Sequence, residues 1–140
     1  MSLRYLLDTN TLSHVFRASA GSSLLERVRD CEGTMATAAP VWHELRYGCS
    51  LLQASVRRDA LERFLSDVVL RNFPILDYNR PAAEWHASER VRLGRGNMPP
   101  FVDGQIAAIA FVNGLTLVTE NQADFRPFER LQLENWYARK

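Results

Sequence analysis

The stretch Arg4-Tyr5-Leu6-Leu7-Asp8-Thr9-Asn10-Thr11-Leu12 decides the fold. Arg4 to Leu7 reads as a short strand, Asp8-Thr9-Asn10 is a cluster that both stops strands and caps helices, and Thr11 to Phe16 is helical. Strands and helices alternate from there on. Gly21 closes the first helical region, and Ser22 caps Leu24 to Arg29. Thr34 to Ala36 is a second strand, after which Pro40 opens a helix at a first-turn position that runs to Leu52. Ser55 caps a further helix with Leu61, Phe64, Leu65 and Val68 at helical spacing. Phe73 to Leu76 is a third strand, and Asp77-Tyr78-Asn79 before Pro81 starts a helix that ends in the Gly94-Arg95-Gly96-Asn97 turn. Phe101 to Asn113 is a helix closed by Gly114. It is followed by a strand (Leu115 to Val118), a loop (Thr119 to Asp124) and a last short strand (Leu131 to Leu133). This alternation predicts an α/β fold, a three-layer sandwich whose central, mostly parallel, short-stranded sheet is flanked by helices. In such sheets ligands sit outside the carboxyl ends of the strands, where Asp8 and the Thr119 to Asp124 loop lie.

The length of 140 residues suits a single domain over 1–140. With 46% hydrophobic and 24% charged residues, the composition excludes a disordered, collagen-like or coiled-coil chain. The longest uninterrupted apolar run, Ile106 to Val112, is far short of the ~20 residues of a membrane span. The residues before Asp8 lack the small-residue cleavage pattern of a signal peptide, so the expected location is the cytoplasm. Cys31 and Cys49 are too few for a disulfide framework and are not spaced as a zinc knuckle. A net charge of +1 argues neither for nor against a polyanionic partner, although 16 of the 17 basic residues are Arg, whose planar fork suits phosphate.

The informative residues are acids in unusual places. Along the Pro40 to Leu52 helix the apolar stripe is expected to contain Val41, Leu45, Gly48, Leu51 and Leu52, and Glu44 falls inside it with Gly48 leaving room one turn on. A carboxylate turned inward needs a metal, an Arg or a protonated state, and a buried Glu–Arg pair accounts for it as well as a metal ligand does. Asp103 lies in a helix that is apolar on nearly every side, where it is either a ligand or a complement to the helix dipole. Asp8 has an ordinary role as an N-cap, and Asp124 as an Asx-turn residue. Taken together, Asp8, Glu44, Asp103 and Asp124 share one predicted sheet edge. Four carboxylates there repel one another unless a hard cation neutralises them, and Mg²⁺ or Mn²⁺ prefers oxygen ligands.

Four segments carry a family resemblance: Leu6-Leu7-Asp8-Thr9-Asn10, Pro40-Val41-Trp42-His43-Glu44-Leu45-Arg46-Tyr47-Gly48, Pro100-Phe101-Val102-Asp103-Gly104-Gln105-Ile106-Ala107-Ala108-Ile109-Ala110 and Leu117-Val118-Thr119-Glu120-Asn121-Gln122-Ala123-Asp124-Phe125. They resemble the four acidic motifs of PIN-domain ribonucleases, and the VapC toxins of bacterial toxin–antitoxin pairs in particular, in order and spacing from Asp8 to Trp136. The resemblance implies Asp8, Glu44 and Asp103 as core metal ligands, Asp124 as the fourth acid, and Thr119 and Asn121 as helpers in the same site. It also implies a Mg²⁺ cofactor with Mn²⁺ as the alternative, an RNA substrate cut by water, a small VapB-like antitoxin as inhibitor, and a homodimer. Glu120 departs from the pattern, because many relatives carry a basic or neutral residue there.

Arg46, Arg92 and Arg95 are candidates for holding phosphates. His14, His43 and His86 form no zinc constellation, and Gly94-Arg95-Gly96-Asn97 lacks the third Gly of a nucleotide-binding loop. Two rival readings remain. Asp8-Thr9-Asn10-Thr11 is similar to the nucleophile loop of haloacid-dehalogenase-type phosphatases, but Asn10 replaces their second Asp and the interior Lys is missing. The other rival is a non-catalytic interaction protein on the same fold, which gives no reason for an inward-facing Glu44.

Overall fold

The computed structural model describes residues 2–137. Strands β1 (Tyr5–Leu7), β2 (Met35–Ala38), β3 (Ile75–Leu76), β4 (Thr116–Val118) and β5 (Leu133–Glu134) form one sheet in the order β3-β2-β1-β4-β5. Every neighbouring pair is parallel. The helices are α1 (Thr9–Arg17), α2 (Ser23–Asp30), α3 (Ala39–Leu51), α4 (Val56–Phe64), α5 (Leu70–Asn72), α6 (Arg80–Leu93), α7 (Phe101–Val112) and α8 (Gln122–Phe125). The result is the predicted α/β sandwich.

β1 is buried along its whole length, with Leu6 and Leu7 fully enclosed, as a central parallel strand covered on both faces must be. The chain goes from β1 to β2 on one side and then returns to place β4 on the other, so the strand order reverses between β1 and β4. Open α/β sheets have their crevice at such a reversal. Asp8 follows β1 and Thr119 follows β4 directly at that point.

Local chemistry fixes the helix ends. Asp8 caps α1 by accepting from the Thr11 N–H at 2.9 Å, and Ser22, Ser55 and Asn79 cap α2, α4 and α6 in the same way. Gly94 and Gly114, at φ 74° and 68°, follow α6 and α7 in a left-handed region that favours glycine. α7 is the central helix, buried at Gly104 and from Ile106 to Ala110, and it packs against α3, α6, α8 and β4.

Three local expectations need correction. β2 runs to Ala38, two residues beyond the predicted end, because Thr37 and Ala38 pair with β3 and the Thr37 hydroxyl donates to the Leu7 carbonyl at 2.8 Å. The Thr119 to Asp124 segment is not wholly a loop, since buried Phe125 anchors the short helix α8. Between α4 and α5 a π-helical turn at Leu65–Val69 inserts one extra residue per turn, so Leu65 and Val69 are buried and Val68 turns outward.

Gly104 of α7 packs directly against His86 of α6. A Cβ there would overlap the ring of His86, which is 2% exposed and held by Tyr78, whose hydroxyl is 2.9 Å from Nδ1. The ring therefore has no room to swing away. Overpacking of about 1–3 kcal/mol outweighs the ~1 kcal/mol helix-propensity gain of alanine. Urea unfolding should find Gly104→Ala less stable than the parent by about 1–2 kcal/mol.

Candidate active site

Asp8 is 4% exposed and is the most enclosed of the four acids. Burial raises its pKa above the usual value, and the nearby Glu120 carboxylate pushes the same way. The Thr119 hydroxyl, then the backbone and side chain of Thr11, oppose that rise by hydrogen bonding. Thr119 is itself fully buried, and its Oγ1 accepts from the Asn121 N–H at 3.0 Å. One threonine thus ties the end of β4 to both Asp8 and the start of the α8 turn.

Glu44 departs from its predicted burial. The enclosed face of α3 is the narrow line Val41, Leu45 and Cys49, while Glu44, Gly48 and Leu51 are exposed and Gly48 opens to free space. An i, i+4, i+8 line shows that α3 touches its neighbours along an edge, which leaves Glu44 at the border of that contact. Its Oε1 accepts from the Thr9 hydroxyl at 2.5 Å, so the start of α1 holds it toward Asp8. Thr9 was missed at the sequence level, although it directly follows Asp8 in the first motif.

Asp103 sits half-buried in the first turn of α7. Its pKa is raised from 3.8 to about 6, first by burial and then by the charges of Asp124, Glu44 and Asp8. The other three predicted acids are therefore each within electrostatic reach of Asp103. Asp8, Glu44, Asp103, Thr9, Asn10 and Asn121 line one cleft of about 110 Å³ together with Ile106 and Phe125. Asp124 stands exposed on α8, outside that lining, and Asn121 is exposed at the turn before it. Among the described residues none of the four acids forms an ion pair. Nor do three His, Cys, Asp or Glu side chains there converge into a ready-made chelate.

The predicted phosphate-holding arginines are mostly engaged elsewhere. Arg46 donates to Glu62 at 2.9 Å, and Arg92 makes a two-pronged contact with Glu89 at 2.8 and 2.9 Å and donates to the Pro127 carbonyl. Arg95 is exposed in a 3-10 turn. Glu120, the departure from the family pattern, pairs with the His14 ring on α1. That contact, across 106 positions of sequence, has no local signal.

The PIN domain family matches residues 5–131, and the chain therefore belongs to the PIN-domain family. Within it, relatives of almost equal length carry the name VapC. The chain is 32% identical over 137 residues to the tRNA(fMet)-specific endonuclease VapC of Shigella flexneri, covering 96% of this chain and 98% of that protein. It is 32% identical over 136 residues to ribonuclease VapC2 of Haemophilus influenzae, with coverage of 96% and 98%. Among solved structures it is similar to the DNA-bound VapBC from Salmonella typhimurium, with a TM-score of 0.84, 27% identity, and 96% and 98% of the two chains covered. It is also similar to FitAcB from Neisseria gonorrhoeae, with a TM-score of 0.83, 26% identity, and 95% and 98% covered. No helix of the described residues is long and apolar enough to cross a membrane.

The raised pKa of Asp103 has a definite sign. Between pH 4 and about 6 the folded chain binds a proton at Asp103 that the unfolded chain has released, so folding is favoured as pH falls through that window. Above it, the ionised carboxylate is a net cost. In EDTA, Asp103→Asn should raise Tm at pH 8 by roughly 2–4 °C after allowance for solvent screening. The gain should shrink below pH 6 and vanish near pH 4, which thermal melts across that range will read.

Proposed function

We propose that this chain is a divalent-metal-dependent endoribonuclease, the toxin of a toxin–antitoxin pair, in the form of one PIN domain. The observation that carries this reading is the Asp103 carboxyl, lifted to about 6 by burial and by three further carboxylates that no Lys or Arg among the described residues neutralises. An arrangement this unfavourable without a cation is a reason to expect one. The donors lining the cleft are oxygen atoms, with neither His nor Cys among them, which suits a hard ion. Mg²⁺ and Mn²⁺ are such ions, bound through carboxylate oxygens with several waters retained.

Asp8, Glu44 and Asp103 would hold the ion, with Asp124 as the outer acid. When bound, it supplies an activated water and offsets charge on the phosphodiester. The protein's own contribution is positioning. Thr119 and Thr11 fix the buried Asp8, Thr9 fixes Glu44, and the first turn of α7 fixes Asp103. Asn121 braces Thr119 through its backbone N–H and lines the cleft with its side chain. The VapC relatives are named as ribonucleases or a tRNA endonuclease, which supports RNA as the substrate class. The VapBC structure supports a VapB-like antitoxin as partner. Pairing with a second copy of the chain belongs to the same reading.

Purified protein should cut single-stranded RNA with Mg²⁺ or Mn²⁺ and stop in EDTA, and Asp8→Asn or Asp103→Ala should each lower the rate by about a hundredfold or more. Equal cleavage by Asp103→Ala, or cleavage indifferent to EDTA, would defeat the assignment. Thr119→Val, which removes the hydroxyl that orients Asp8, should weaken Mn²⁺ binding by roughly 10–100-fold in a calorimetric titration.

A further inference from the structure

Glu44 is shared by two hollows. One is the acidic cleft, and the other, of about 360 Å³, is lined by Pro40, His43, Tyr47 and Val102 as well as Glu44. Val102 directly precedes Asp103, so both walls of the second hollow are continuous with the acids. Apart from Glu44 and the His43 ring, its walls are apolar or aromatic. Tyr47 is 60% exposed and Val102 38%, a costly display of ring and aliphatic surface next to a charged cleft. The His43 and Tyr47 rings lie 6.3 Å apart at 45°, so they do not stack flat on each other. Beyond them the surface continues into a hollow of about 390 Å³ that adds Trp42, Arg46 and Ser50.

An aromatic surface that starts at an acidic cleft and runs toward a cation is the arrangement by which single-stranded nucleic acid is held, with bases on rings and backbone near positive charge. The scale also agrees. Tyr47 lies three residues after Glu44 on α3, so their Cβ atoms are about 5–6 Å apart, comparable to the reach from a phosphate to the base it carries. A protein partner fits less well. A docked apolar helix needs a continuous apolar groove, and here it would cover Glu44 without pairing it. An RNA strand passing through the cleft covers the hollow with a base and leaves Glu44 facing the cleft.

We propose that Tyr47 and His43, walled by Val102, form a nucleobase subsite that seats the base next to the scissile phosphodiester. This subsite presupposes the ribonuclease reading above. It makes Tyr47 a substrate-contacting residue that sets preference for the flanking nucleotide, and Arg46 a neighbour available to the backbone when it leaves Glu62.

The test uses a short RNA with a mapped cut site and a series in which each flanking nucleotide is made abasic in turn. One abasic position should lower kcat/KM of the parent by about tenfold or more. Tyr47→Ala should show a similar loss on intact RNA and no further loss at that position, while Tyr47→Phe should behave as the parent. Cleavage by Tyr47→Ala equal to that of the parent, or an undiminished response to the abasic position, overturns the subsite. So does a Tyr47→Ala chain that elutes at half the parent's mass, which would make this face a contact between copies. Binding of fluorescent RNA to Asp103→Asn protein separates the two claims. Binding weakened by an added Tyr47→Ala change, with no cleavage by the parent, removes the nuclease and with it the scissile position, and leaves only an RNA contact at Tyr47. Normal cleavage with binding indifferent to Tyr47 keeps the nuclease and removes the subsite.

Discussion

Like charges gathered at one edge of a sheet raise each other's energy, and a protein keeps them only where something else lowers it. Asp8, Glu44, Asp103 and Asp124 are such a group. Burial removes water from Asp8 and part of Asp103, and the other acids add to the penalty on Asp103. Elsewhere several acids have a basic partner: Glu62 with Arg46, Glu89 with Arg92, Glu134 with Arg27. Unpaired acids also occur singly over the rest of the surface, so what makes the cleft stand out is that three further carboxylates act on the half-buried Asp103 with no Lys or Arg paired to any of the four among the described residues.

The fold produces that contrast with few parts. A parallel sheet directs all its strand ends to one edge, and the reversal of order between β1 and β4 opens a crevice there. Asp8 occupies it as the cap of α1, Thr119 locks it from β4, and α7 brings its first turn across from the other side. The small residue at Gly104 and the buried His86 let α6 and α7 approach closely, which fixes the height at which Asp103 enters. Stability and site geometry therefore share residues, and the cost of ionised Asp103 in the metal-free chain is the energetic trace of that sharing.

Much of this was legible in the sequence where the signal was local. The strand-acid-helix order at Asp8, the caps at Ser22, Ser55 and Asn79, and the apolar α7 around Asp103 each follow from neighbouring residues, and the structure carries them all. Glu44 was placed on the correct helix but on the wrong footing. The width of a helix's buried face depends on what packs against it, and the α3 contact proved narrower than its apolar pattern suggested. Long-range pairings were not legible at all. Nothing near Glu120 announces His14, and nothing near Arg46 announces Glu62, whereas the Glu89–Arg92 pair, three residues apart on α6, is a local one that helical spacing could have shown. The π turn at Leu65–Val69 was invisible for a similar reason, since it is imposed by packing and not by a breaker residue.

The account rests on carboxylates that are strained until a cation arrives, and the most direct test is to watch one of them. Carbon-13 NMR titration of the aspartate side-chain carboxyls, with Asp103→Asn to assign the resonance, reads Asp103 itself. In metal-free protein its midpoint should lie near 6, and added Mg²⁺ should pull it downward. A midpoint at the ordinary 3.8 that Mg²⁺ leaves unchanged would contradict both the crowding of the acids and the site built on it.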